Sequence, residues 1–254
     1  MRLFPRRLHH GEEATLVEHL DELRTRLVVS LVAVGIGFAV AFAFHAQLIE
    51  WLTKPLPNDK ELVTFGVTEP FFTAVKVSLF TGLAFALPVV LYQLWSFLAP
   101  AVAERAQRVV AVFAAIATAL LVVGIVFGYY VLLPRALEFL TNFDDNLYQV
   151  QIRANYYFSF VTAVLFGMGL VFQLPIFILA LVRLRVLTSA RLRKNRRLGI
   201  FLAVLLAVLL PTVDPVSLAF EALPLLLLLE LSIWLSVFME RRWERAGVLW
   251  TAVE

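Results

Sequence analysis

Six stretches of the chain are apolar over lengths that matter for a bilayer, at roughly 27–49, 71–92, 109–133, 156–182, 198–212 and 216–237. Crossing about 30 Å of hydrocarbon takes about 20 apolar residues in a helix, so the pattern predicts an all-α integral membrane protein with six transmembrane helices. The last two spans are expected to be short. The fifth has only about 15 apolar residues before Pro211 and Asp214-Pro215 interrupt it, about 22 Å of helix and some 8 Å less than the hydrocarbon core. Asp214 followed by Pro215 has the form of an N-cap and first helical residue, which makes the turn into the sixth helix tight. A separate functional role for the Asp214 carboxylate stands beside that capping role.

Ahead of the first span lies a charged cassette, His19-Leu20-Asp21-Glu22-Leu23-Arg24-Thr25-Arg26-Leu27. Thr15-Leu16-Val17-Glu18 has capping-box spacing and starts a helix just before it. Leu16, Leu20, Leu23 and Leu27 share one face, so an amphipathic helix over residues 1–26 is expected to lie along the membrane surface before turning in at the first span. On the other side Glu18, Glu22 and Arg26 are spaced by four. They read either as surface pairs worth about 0.3 to 0.5 kcal/mol each, or as a carboxylate presented to a cationic partner.

Lys and Arg distribution orients the spans. Seventeen fall in the segments that share a side with the N-terminus, including Arg191, Arg193, Lys194, Arg196 and Arg197, and four in the opposite segments, with Lys76 near a span end. By the positive-inside rule both termini are expected in the cytoplasm, with 27–237 forming the six-helix region and 238–254 a cytoplasmic tail. One membrane domain accounts for residues 1–254. Hydrophobic residues are 61% of the chain and charged ones 16%, which excludes a soluble globular class. The acidic residues ahead of the first span argue for a retained span rather than a cleavable signal peptide, and for Arg6-Arg7 as part of a basic tail rather than an export signal.

No cysteine is present and the four histidines are scattered, so neither a disulfide nor a Cys/His metal site is expected. No phosphate-binding G-x-x-x-x-G-K motif occurs. The basic balance follows topology and implies no nucleic-acid partner. Polar residues inside spans need partners, which singles out Gln173, Glu221 and Glu230. Gln173 and Glu230 fall near mid-depth by residue count. Gln173 precedes Pro175 and can serve backbone freed by that proline, a helix-packing bond or a hydrated cavity. Glu230 at that depth calls for protonation and a bond to a neighbouring helix. Glu221 lies nearer the outer surface and reads as structural.

Several separated motifs carry a resemblance. The cassette HLDELRTRL resembles an H-L-x-E-L-R-x-R-L pattern, Lys54-Pro55-Leu56 a first outer loop, and Glu69-Pro70-Phe71-Phe72-Thr73 with Lys76 the start of a second span. Leu91-Tyr92-Gln93-Leu94-Trp95-Ser96-Phe97-Leu98-Ala99-Pro100 is similar to a first inner loop. Phe172-Gln173-Leu174-Pro175, Leu192-Arg193-Lys194-Asn195-Arg196 and Asp214 fit later segments. Together they resemble the TatC family, the polytopic subunit of the twin-arginine protein translocase.

The resemblance implies six spans with both ends inside and a concave surface. It also implies a non-enzymatic receptor without a cofactor, for twin-arginine signal peptides of folded cargo, driven by the proton motive force in the cytoplasmic membrane. The implied partners are TatA-like and TatB-like single-span proteins and membrane lipids, in an oligomeric complex. Glu22 would hold the arginines, Tyr92, Trp95, Phe97 and Pro100 would shape the adjoining surface, and Arg24 and Arg26 would orient the carboxylates and anchor phospholipid headgroups. Pro55, Phe71 and Asp214 would serve the outer side, and Gln173 and Glu230 the intramembrane contacts. The family's second carboxylate falls on Ala106 here. Glu104, two residues earlier and about 200° around a helix, either replaces it through an irregular loop or does not. Gln173 stands where relatives carry glutamate, so the resemblance does not require charge there. Two other classes remain in view: a secondary transporter with a midplane polar site, for which the inverted repeats are lacking, and a membrane scaffold.

Overall fold

The computed structural model describes residues 16–57, 60–98, 106–143, 151–184, 186–210 and 214–245. The helices in chain order are α1 (Leu16–Ala43), α2 (His45–Thr53), α3 (Glu69–Leu98), α4 (Ala106–Phe127), α5 (Leu133–Asn142), α6 (Ala154–Val171), α7 (Leu174–Arg183), α8 (Ser189–Lys194), α9 (Arg196–Val208) and α10 (Pro215–Arg245). Two short strands, β1 (Leu62–Val63) and β2 (Ile152–Arg153), pair in parallel. Among the described residues, five helical stretches are long and apolar enough to cross a membrane: Leu20–Ala43, Glu69–Phe97, Ala111–Asn142, Ala154–Arg183 and Pro215–Arg242. The protein is thus an all-α membrane protein, as its apolar pattern predicts.

Three expectations change. The cassette does not form a separate surface helix, because α1 continues unbroken through its 28 residues, about 42 Å. Neither Gly nor Pro occurs between Leu16 and Val34, so nothing in the sequence favours a bend there. The fifth apolar stretch is shorter still as a helix, 13 residues in α9 and about 20 Å. The sixth is long rather than short, with 31 residues in α10 and Pro224 accommodated inside it.

The chain divides into two compact units, Met1–Ile49 with Ala74–Thr118, and Glu50–Thr73 with Ala119–Glu254. In the first, α1 and α3 approach so closely at Gly37 and Gly82 that a Cβ on Gly37 would stand 2.5 Å from the Gly82 carbonyl oxygen. Only glycine permits that approach.

The core of the second unit holds α6, whose Val161, Val164 and Met168 are fully buried. A Cβ on Gly124 of α4 would meet Phe172 Cβ at 2.9 Å, and one on Gly169 would meet Leu121 Cδ1 at 2.9 Å, so small residues set this contact too. After α4 the chain makes a π-helical turn, Gly128–Leu132, before α5. That turn carries Tyr129, whose ring stacks on Trp51 at 3.9 Å and whose hydroxyl donates to the Trp51 carbonyl at 2.8 Å. Tyr157 of α6 donates to the Leu52 carbonyl at 2.8 Å. Two tyrosines therefore serve carbonyls in the last turn of α2, where the Trp51 carbonyl also accepts the Lys54 amide at 3.3 Å.

Candidate functional site

In the first unit Glu22 and Arg26 are one turn apart on α1, and each side chain is 18% exposed. Arg26 donates from Nε to Glu22 Oε1 at 3.0 Å and from Nη2 to the same oxygen. Its Nη1 donates across to Gln93 Oε1 of α3 at 3.2 Å. Arg26 thus ties the Glu22 carboxylate to a second helix and fixes its orientation. The i to i+4 spacing foretold the pair, but not the bond to Gln93, which lies 67 residues away. Gln93 is the residue sequence reasoning passed over, although it sits inside the Leu91–Pro100 motif.

Around this pair the expected aromatic residues divide by environment. Trp95 is buried and meets Phe113 edge-on at 5.9 Å, while Tyr92 is exposed and Phe97 half-buried. Arg24 is exposed, on a different side of α1 from Arg26. Glu104 and Pro100 lie outside the described residues, as does any contact they make.

Gln173 is 1% exposed and sits at the joint between α6 and α7, with Pro175 following it. Its carbonyl accepts from the Ile176 and Phe177 amides at 3.1 Å each, so the backbone carries the helix across the break. Glu230, in the middle of α10, has a cationic partner on a neighbouring helix: Arg196, in the first turn of α9, donates from Nε to its Oε1. Ten residues on, the Glu240 carboxylate accepts the Ser189 amide at 3.1 and 3.2 Å.

At the other end of α10, Asp214 is 5% exposed and accepts the Ser217 amide at 2.7 Å, the capping geometry its position suggested. Pro55 ends α2 in a turn closed by the Leu56 amide on the Thr53 carbonyl. Phe71 is exposed and packs edge-on with Phe72 at 5.6 Å.

A second centre escaped the sequence reading. Glu69 opens α3, nearly buried, and accepts Arg153 Nε at 2.9 Å, the Asn155 amide at 3.1 Å and, on Oε2, the Phe65 amide at 3.1 Å. The Arg153 guanidinium also covers Phe65 at 5.9 Å and Tyr156 at 5.3 Å. Its bond to Glu69 pushes the Arg153 pKa above its usual value, so the guanidinium stays charged. This one carboxylate gathers the loop before α3, β2 and the start of α6. An acidic residue before Pro at a helix start was the available signal, but its partner is 84 residues away.

These features define a multi-pass helical membrane protein whose polar chemistry, among the described residues, centres on ion pairs and on hydrogen bonds at helix ends. Residues 18–224 match the family described as Sec-independent protein translocase protein (TatC). Among curated relatives, TatCd of Bacillus subtilis is 34% identical over 231 residues, 91% of this chain and 95% of that protein. TatC of Aquifex aeolicus is 36% identical over 233 residues, 89% of this chain and 96% of that protein. A solved structure described as the twin arginine translocase receptor TatC superposes with a TM-score of 0.76 at 34% identity, covering 87% of this chain and 98% of that one. The chain belongs to the TatC family. It is accordingly a membrane subunit of the Sec-independent protein translocase, a transport component rather than an enzyme, and the secondary-transporter reading gives way.

Proposed function

We propose that this subunit is the receptor for twin-arginine signal peptides, and that Glu22 is the carboxylate that takes one of the two arginines. The observation that carries the reading is the Glu22–Arg26–Gln93 arrangement: a carboxylate of low exposure, already shaped to a guanidinium and held against α3. A peptide arginine entering here exchanges one guanidinium for another instead of desolvating a bare carboxylate. Charge-assisted bonds of this kind contribute about 1.5 to 3 kcal/mol, and the planar arginine fork suits a carboxylate better than a lysine ammonium does. Arg26 positions Glu22, Arg24 faces lipid headgroups, and Tyr92, Trp95, Phe97 and Pro100 border the peptide. Glu104 is a candidate second carboxylate.

In the same reading both termini and the cassette face the cytoplasm, and α9 is the fifth of six membrane crossings. The protein works in the cytoplasmic membrane with TatA-like and TatB-like single-span partners, near Gln173 and Glu230, and the proton motive force drives transport. Pro55, Phe71 and Asp214 serve the outer face. The absence of native cysteine makes orientation simple to test. Single cysteines at positions 20 and 60 should differ in labelling by a membrane-impermeant maleimide added to intact cells, with only position 60 reacting.

The central test places a photoreactive residue at Leu23, which is exposed beside Glu22. A twin-arginine peptide should label about tenfold more than its twin-lysine version, and Glu22→Gln should abolish the difference. Equal labelling by both peptides in the unsubstituted background would overturn the assignment.

A further inference from the structure

Two carboxylates of α10 hold a short basic segment against it. Glu240 accepts the Ser189 amide at the start of α8, and Glu230 pairs with Arg196 at the start of α9. The two acids are ten residues apart, about 15 Å along the helix axis. The Thr188 hydroxyl caps α8 by accepting the Arg191 amide at 3.2 Å. The strap therefore has a defined course, parallel to the stretch of α10 between its two anchors.

It carries Arg191, Arg193, Lys194, Arg196 and Arg197, all exposed. Arg196 is neutralised by Glu230. Among the described residues, no carboxylate lies within ion-pair distance of the other four. Beside them, α10 exposes Leu227, Leu231, Trp234 and Phe238. Their steps of four, three and four put them on one face. Glu230 is three residues after Leu227 and four before Trp234, so the Arg196 pair borders that same apolar stripe.

Cations in excess of their acids, fixed next to a stripe of exposed leucine and aromatic side chains, fit one kind of molecule well: an amphiphile with an anionic head. We propose that the α8–α9 strap and the Leu227–Phe238 face of α10 form a binding site for an anionic phospholipid. Its phosphate sits among Arg191, Arg193, Lys194 and Arg197, and an acyl chain runs along Leu231, Trp234 and Leu227. The phosphodiester supplies the charge that the strap lacks, and Trp234 takes the interfacial position its indole favours. A basic loop in an ordinary membrane protein draws anionic lipid only diffusely. Here the Arg196–Glu230 pair sets the strap's cations at a fixed height beside the chain-binding face, while Glu240 holds the far end of the strap, which makes the site discrete.

The test uses the full-length protein purified in a neutral detergent, with bound lipid counted by native mass spectrometry after addition of phosphatidylglycerol or phosphatidylcholine. Phosphatidylglycerol should be retained at least about tenfold better. The combined variant R191Q/R193Q/K194Q/R197Q should lose that preference, K54Q/R135Q should keep it, and the charge-preserving R191K/R193K/R197K variant should largely restore it, which separates loss of the site from misfolding. Equal retention of the two lipids would overturn the proposal, as would an unchanged preference in the quadruple glutamine variant. So would full displacement of phosphatidylglycerol by millimolar inorganic phosphate, which would mark a phosphate site without a lipid contribution, or by an acidic amphipathic peptide, which would mark a protein-docking face.

Discussion

Gly37 of α1 and Gly82 of α3 touch through their backbones, and Arg26, eleven residues before Gly37, and Gln93, eleven residues after Gly82, touch again through their side chains. Eleven residues are about three turns, so each helix presents the same face at both contacts. The antiparallel pair is thereby set at two heights, and the glycine contact determines whether Arg26 can reach Gln93 and hold Glu22.

Gly82→Ala should disturb both levels. A Cβ on Gly82 would stand 2.7 Å from the Gly37 carbonyl carbon and 2.6 Å from Phe38 Cα, so the helices must separate. Overpacking of this kind costs about 1 to 3 kcal/mol. Thermal unfolding in detergent should fall by several degrees, and twin-arginine peptide binding should weaken with it. An unchanged melting temperature would show that the contact is slack.

Gln93→Leu tests the cross-helix bond without touching the carboxylate. It deletes the acceptor of Arg26 Nη1 and leaves the Glu22–Arg26 pair intact. Loss of about 1 kcal/mol predicts roughly fivefold weaker twin-arginine peptide binding with little change for a twin-lysine control. Fluorescence anisotropy with labelled peptides gives both numbers. Equal weakening of the two peptides would argue for a general packing defect.

Asp214 separates a cap from a functional carboxylate. Asp214→Asn keeps an N-cap oxygen for the Ser217 amide, whereas Asp214→Ala removes it at about 1 kcal/mol. If the residue is a cap alone, the asparagine variant should melt and transport like the parent, and only the alanine variant should drop. Transport lost in a stable asparagine variant would assign the charge a role of its own.

For Glu69 and Arg153 the measurement is a double-substitution cycle. Glu69→Gln removes the charge that meets Arg153 and weakens acceptance of the Phe65 and Asn155 amides. The single variants Glu69→Gln and Arg153→Gln should each lower the melting temperature, and the double variant should fall by less than their sum. Strict additivity would mean that the two residues act independently.

The membrane spans were legible because length and apolar content are local properties, and α1, α3 and α10 meet the test without help from other elements. The Glu22–Arg26 pair and the Asp214 cap were legible for the same reason, since helical spacing brings together residues three or four apart. The bonds Arg26–Gln93, Arg153–Glu69 and Arg196–Glu230 join residues 67, 84 and 34 apart, and no periodicity encodes such meetings. The separate surface helix proved wrong because amphipathic leucines continued in phase into the first span. Their phase fitted one long helix as well as two, and only the backbone decided between them. The partner of Glu230 is not legible in the sequence because the basic run 191–197 serves there as a topology signal and a family motif, and neither shows a strap anchored to α10.

The π-helical turn at Gly128–Leu132 has a bearing on how this stretch tolerates change in length. A π-turn holds one more residue than an α-turn within about one revolution, so it absorbs that residue without turning the helix that follows. Deleting a single residue there would leave ordinary α-helix with α4 and α5 nearly in register, whereas a deletion inside α5 itself would rotate everything after it by about 100°. The buried set Leu133, Ala136 and Leu137 would keep its side in the first case and lose it in the second. The turn is thus the place in this stretch where the chain tolerates a change of one residue.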